Sequence, residues 1–179
     1  MSTRDDNTEI ADRFGVVAKQ FCSIVDSASS LERADLLVKT YRILPALIGE
    51  AIGLPDVKLD DSDNQVEGMS TPASGVNVRL SSHEWDQLYN LLKEKLGGWN
   101  LYRQVFDPIE DKEAICGSLA EDIADIYRDL REGLVLKETH QAPPEDIIWE
   151  WRFSFYSHWG RHAMDALQTI HSRLQGILY

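Results

Sequence analysis

The sequence predicts an all-α protein, an up-and-down bundle of about five helices with a long C-terminal helix, and three observations carry that prediction. Apolar residues recur in steps of three and four through most of the chain, the spacing of a helix with one buried face. Ser29 with Glu32, Ser81 with Glu84 and Ser118 with Glu121 repeat one helix-start pattern, in which each side chain caps the other residue's backbone amide. No stretch alternates apolar and polar residues at strand spacing for a useful length.

The 179 residues suit one domain, 1–179, large enough to bury a core without disulfides or metal staples. Residues 8–28 form the first helix, since Ile10, Phe14, Val17, Phe21, Ile24 and Ala28 share a face and leave Asp12, Arg13, Lys19 and Gln20 outside. A second helix runs from about residue 30 to 52, with Leu37, Tyr41, Leu44, Leu47, Ile48 and Ala51 inward; Pro45 within it predicts a kink or a break. From 53 to 80 the periodicity stops, and Asp56, Asp60, Asp61, Asp63 and Glu67, with Gly68, Pro72 and Gly75, predict a flexible acidic loop. It is no calcium loop, because Val66 stands where the turn glycine belongs and Pro72 where the bidentate glutamate belongs.

The capping box at Ser81 opens a helix over 82–96 that buries Trp85, Leu88, Tyr89, Leu92 and Leu96, and Gly97-Gly98 ends it. Trp99 to Phe106 follow as an aromatic segment read as a helical turn, closed by Asp107-Pro108. The box at Ser118 starts a helix over 119–136, with Leu119, Ile123, Ile126, Tyr127, Leu130 and Leu134 inward. Pro143-Pro144 break the chain, and Glu145 and Asp146 suit the first turn of the last helix, 144–178. Ile148, Trp151, Phe155, Trp159, Ala166, Ile170 and Ile177 give that helix its apolar stripe and make it the spine of the bundle. Gly160 in its middle predicts the close approach of a neighbouring backbone or ring.

Lys and Arg number 18 against 30 Asp and Glu, a formal charge of −12, which repels phosphate backbones and anionic lipid and excludes nucleic acid and membrane surfaces as favoured partners. Cys22 and Cys116 form no CxxC pair and read as reduced, buried thiols. The N-terminus lacks the apolar run of a signal peptide and no window is apolar enough to span a bilayer, so the expected location is the cytoplasm.

Three segments resemble one family together: Trp99 through Asp107-Pro108; the helix Ser118-Leu119-Ala120-Glu121-Asp122-Ile123-Ala124-Asp125-Ile126-Tyr127-Arg128-Asp129-Leu130; and Trp149-Glu150-Trp151 with His158-Trp159-Gly160-Arg161-His162-Ala163. The chain is similar over most of its length to the bacterial domain of unknown function DUF5063. That resemblance implies an all-helical domain and brings no activity or catalytic residue with it.

Two ridges bear polar chemistry. On the last helix His162 falls inside the apolar stripe and His158 and Asp165 on its flank, making one ridge, and Asp122, Asp125 and Asp129 run beside the inner face of the 119–136 helix. If they face each other, imidazole nitrogen and carboxylate oxygen form a mixed ligand set for a divalent metal, and a metal-bound water would serve hydrolysis of a phosphate ester or nucleotide. The competing pattern pairs Arg128, Arg152 and Arg161 with these acids across the helix interface. No HExxH, phosphate loop or nucleophile elbow is present. The role ranked first from sequence is therefore a protein-interaction or adaptor module with an unidentified, basic protein partner drawn by its charge, with homodimerisation through the long C-terminal helix as a further expectation. The metal-dependent hydrolase is the alternative.

Overall fold

In the computed structural model, residues 3–57, 78–105, 109 and 113–178 are described, with side chains from residue 6 to 175. The elements are α1 (Thr3–Asp26), α2 (Arg33–Ile52), α3 (Ser82–Leu96), a 3-10 turn (Gly97–Trp99), strands β1 (Leu101–Val105) and β2 (Ala114–Ser118), then α4 (Leu119–Glu138), α5 (Pro144–Ser154), a π-helical turn (Phe155–Trp159) and α6 (Gly160–Leu178). The protein is predominantly all-α. No helix among the described residues is long and apolar enough to cross a membrane.

The C-terminal rod is the centre of the packing. Its α5 half lies against α1 and α4, and its α6 half against α4 and α2. Ile148, Trp151, Phe155, Trp159, Ala166 and Ile170 are buried as their spacing predicts, while the side chain of Ile177 lies outside those described. Phe14 of α1 meets both indoles, with ring centroids 4.7 Å from Trp151 and 6.5 Å from Trp159.

The π-turn explains how both indoles reach Phe14. Eight residues at about 100° each leave Trp151 and Trp159 roughly 80° apart on an ideal helix; absorbing one extra residue brings them to within about 20°. The turn closes through the Gly160 amide, which donates to the Phe155 carbonyl. A methyl group at Gly160 would stand 2.3 Å from that oxygen and 2.9 Å from the Phe155 ring. The close neighbour expected at Gly160 is thus Phe155, five residues back on the same rod.

Four expectations are corrected. The helical turn expected over Trp99 to Phe106 is replaced at Leu101–Val105 by a strand, antiparallel to Ala114–Ser118, with Leu101 opposite Ser118 and Val105 opposite Ala114, while Phe106 lies outside the described residues. Five-residue strands are too short for alternation to stand out in a helical sequence. The Ser29–Glu32 capping box does not form, because Ala28 and Ser30 are held in turns that bond back to Val25 and Ser27 and Glu32 itself becomes the N-cap without a side-chain bond. Helix α2 is not broken at Pro45, whose ring is on the exposed face while Leu44, Leu47 and Ile48 hold the opposite face in the core. Cys22 is buried, but Cys116, on the outer face of β2, is exposed.

Of the other two capping serines, Ser81 forms the full reciprocal box and Ser118 makes the serine half of one. Ser81 accepts from the Glu84 amide, and the Glu84 carboxylate accepts from the Ser81 amide at 2.8 Å. Ser118 accepts from the Glu121 amide at the start of α4. In the acidic loop, Leu54 and Val78 are buried and frame the segment, whose residues 58–77 lie outside the described residues.

Candidate metal centre

The start of α4 is fixed by a residue the sequence pattern did not single out. Buried Asn100, just before β1, accepts from the Ala120 amide through its side chain at 2.8 Å and from the Leu119 amide through its carbonyl at 2.9 Å. Those bonds join the hairpin to α4 and set Tyr102 above the first turn. The Tyr102 ring packs on Gly117, where a methyl group would come within 2.5 Å of it. Its hydroxyl donates to Asp122 Oδ2 at 2.6 Å.

Helix α4 and the rod pack so that the two polar ridges face each other. Asp122 Oδ1 lies 2.8 Å from His162 Nδ1, and Asp129 Oδ2 lies 2.7 Å from His158 Nδ1. A carboxylate oxygen cannot donate, so each Nδ1 carries the proton and, in the neutral ring, each Nε2 holds a lone pair. Asp125 lies between these pairs. Its Oδ1 accepts from Trp85 Nε1 at 2.9 Å and meets the Arg128 guanidinium at 3.0 Å. Its Oδ2 faces His162 Nε2 at 3.7 Å.

Asp125, His158 and His162 each offer one ligand atom, and these atoms lie within 4.8 Å of one another. The two imidazoles meet edge to face, with centroids 5.0 Å apart. Side-chain exposure rises from 8% at Asp125 to 17% at His162 and 38% at His158, so the cluster is sealed on the α4 side and open on the His158 side. Five of the six residues singled out from sequence therefore come together: Asp122, Asp125, Asp129, His158 and His162. Asp165 stands one turn further along α6, paired with Arg161 at 3.7 Å.

Arg128 pairs with Asp125 and Asp129 of its own helix, Arg161 with Asp165 of its own helix, and Arg152 reaches Asp56 and the Leu54 carbonyl. The histidines reach Asp129 and Asp122 across the helix interface. Charge explains the distribution, since Asp122, Asp125, Asp129 and Asp165 outnumber Arg128 and Arg161 two to one and leave a local excess of negative charge.

Titration follows from that excess. Burial pushes Asp122 above the usual carboxylate range, against the pull of its bonds from His162 and Tyr102. Burial opposes charge on His162, but its bond to Asp122 and the charges of Asp122 and Asp125 outweigh it, and its pKa is raised. Asp165 is raised by burial and by the Asp122 charge, and Tyr102 by burial and then Asp122. The pocket as a whole attracts a positive charge, supplied either by a proton or by a cation.

Three residues that complete the centre were not marked as site residues in the sequence. Trp85 and Tyr102 appear there as apolar residues, and their polar edges are what reach the carboxylates. Asn100 gives no periodic signal at all.

The sequence profile of a family described as Domain of unknown function (DUF5063) matches residues 5–175. Among solved structures, the crystal structure of protein BF1032 from Bacteroides fragilis is similar, with a TM-score of 0.70 and 23% sequence identity over 93% of this chain and 90% of that one. At that identity the likeness is one of fold. Among curated proteins, none matches the chain.

Proposed function

This chain belongs to the DUF5063 family, and we propose that it binds a divalent transition-metal ion through His158, His162 and Asp125. The observation that carries this reading is the pair of acceptors facing each other, His162 Nε2 and Asp125 Oδ2, 3.7 Å apart. That gap is too long for a good hydrogen bond and close to the roughly 3.0–3.5 Å between neighbouring ligands of a metal bound at about 2.1 Å. Asp122 and Asp129 act behind the ligands: by accepting from each Nδ1 they fix the tautomer, orient the ring and make Nε2 a better donor to metal. Trp85 and Arg128 hold Asp125 by one oxygen and leave the other for the ion.

Two imidazoles and one carboxylate suit manganese, iron or zinc better than calcium or magnesium, which prefer all-oxygen sets. His158, His162 and Asp125 would hold the ion with the exposed His158 side turned to solvent. An ion held by these residues would supply activation of water for attack at neutral pH, so the reaction class that goes with this site is metal-assisted hydrolysis of an ester such as a phosphate ester. The free thiols of Cys22 and Cys116 go with a reducing, cytoplasmic setting.

Thermal melting of metal-stripped protein with and without manganese, iron(II) or zinc tests the reading. Metal at about a hundred times its Kd stabilises by about 2.7 kcal/mol, and His162→Ala abolishes that rise. No rise with any of the three metals, or an equal rise in His162→Ala, defeats the reading. Hydrolysis of phosphate monoesters and diesters by the metal-loaded protein, lost in the same variant, tests the activity separately.

A further inference from the structure

Helices α1 and α2, which supply none of the metal ligands, leave between them an open groove of about 650 Å³. Its floor is aliphatic: Val16 is 57% exposed, and Ile24 and Ile43 are half-buried. Lys19 from α1 and Lys39 and Arg42 from α2 line it, and no carboxylate does. In a chain of formal charge −12, three cations around an aliphatic strip reverse the character of the surface as a whole. Lys19 meets Glu138 at 2.7 Å, whereas Lys39 and Arg42 have no acidic partner among the described residues.

We propose that this groove docks a short amphipathic helix from an acidic protein partner, with aliphatic side chains on Val16, Ile24 and Ile43 and carboxylates over Lys39 and Arg42. Two side-by-side helices present the channel into which the ridge of a third packs. Val16 and Ile24 are about 12 Å apart along α1, a little over two turns, so an incoming helix of about three turns covers the floor. The groove is too open to bury most of a small molecule, whereas a helix laid along it removes the aliphatic strip from water. The charge also selects the sign of the partner. A basic helix would set lysine against Lys39 and Arg42, and like charges brought together at an interface are unfavourable.

The test uses the full chain and two fluorescently tagged peptides of about three helical turns, each with a leucine stripe, one flanked by glutamates and the other by lysines. Fluorescence anisotropy should show the glutamate peptide binding, the lysine peptide at least about tenfold weaker, and the affinity of the first falling as salt rises. The double variant Lys39→Glu, Arg42→Glu should weaken the glutamate peptide at least about tenfold, and Val16→Asp should weaken it as well; both changes are on exposed side chains, and circular dichroism checks that the fold is kept. Failure of the glutamate peptide to bind, equal binding of the two peptides, or indifference to the groove variants overturns the proposal. So does release from phosphatidylglycerol vesicles as the property these variants change, or conversion of a dimer to monomer by them, since the occupant would then be lipid or a second copy. None of these readouts depends on metal.

Discussion

Gly160→Ala is the substitution whose sign most sharply separates this structure from an ordinary helix. In a regular helix interior, alanine stabilises by about 1 kcal/mol over glycine. Here the new methyl would stand 2.3 Å from the Phe155 carbonyl oxygen, which is backbone and cannot swing aside, and 2.9 Å from the Phe155 ring. Ordinary carbon contact begins near about 3.5 Å, so the π-turn must open. Opening it loses one backbone hydrogen bond, about 1 kcal/mol net, and turns α5 against α6 by about 100°, so that Trp151 and Trp159 no longer both reach Phe14. Loss of part of one indole's burial costs about 2–3 kcal/mol. Set against the propensity gain, the expected result is a destabilisation of about 2–3 kcal/mol, or a fall in Tm of about 4–12 °C for a chain of this size. Urea unfolding followed by circular dichroism and tryptophan emission measures it. A variant as stable as the parent, or more so, refutes the reasoning about the π-turn.

Tyr102→Phe removes the donor to Asp122 Oδ2 and leaves a buried acceptor unpaired, for a loss of about 1–3 kcal/mol read from urea unfolding; it should also push Asp122 further up and weaken metal binding. The raised pKa of His162 means that its protonated form adds stability to the metal-free protein below histidine's ordinary 6.5, and that this is lost as pH rises through the higher folded value. The metal-induced rise in melting temperature should therefore grow between mildly acidic and mildly alkaline pH, as the proton leaves and metal takes its place; a rise independent of pH would contradict that exchange. Thiol titration of the native protein should find one fast group, Cys116, and one that reacts only on unfolding, Cys22, which is buried and whose pKa burial pushes up to about 12.

The sequence carried the helices well because each has a periodic stripe, and it carried the central rod because tryptophans at helical spacing have few other places to go. The hairpin was missed for want of length, and the Ser29 capping box was expected but does not form, because the pattern tells nothing about whether the preceding turn continues. At the site, the ridges Asp122, Asp125, Asp129 and His158, His162 were visible from spacing alone; that they meet was not, since a wheel gives faces but no rotation between helices. The π-turn lies beyond any single-period reading, although Gly160 marked its place. Charge pairing from sequence has no directions: Arg128 and Arg161 meet acids three or four residues away on their own helices, and Arg152 meets Asp56.

The central claim is that His158, His162 and Asp125 converge on one ion. Diffraction from crystals of metal-loaded protein, recorded at the absorption edge of the added manganese or zinc, locates that ion directly. An anomalous peak is expected within bonding distance of Nε2 of both histidines and of Oδ2 of Asp125, with Trp85 and Arg128 still on Oδ1. Metal bound only elsewhere, or a proton-bearing His162 hydrogen-bonded directly to Asp125 with no peak between them at saturating metal, contradicts it.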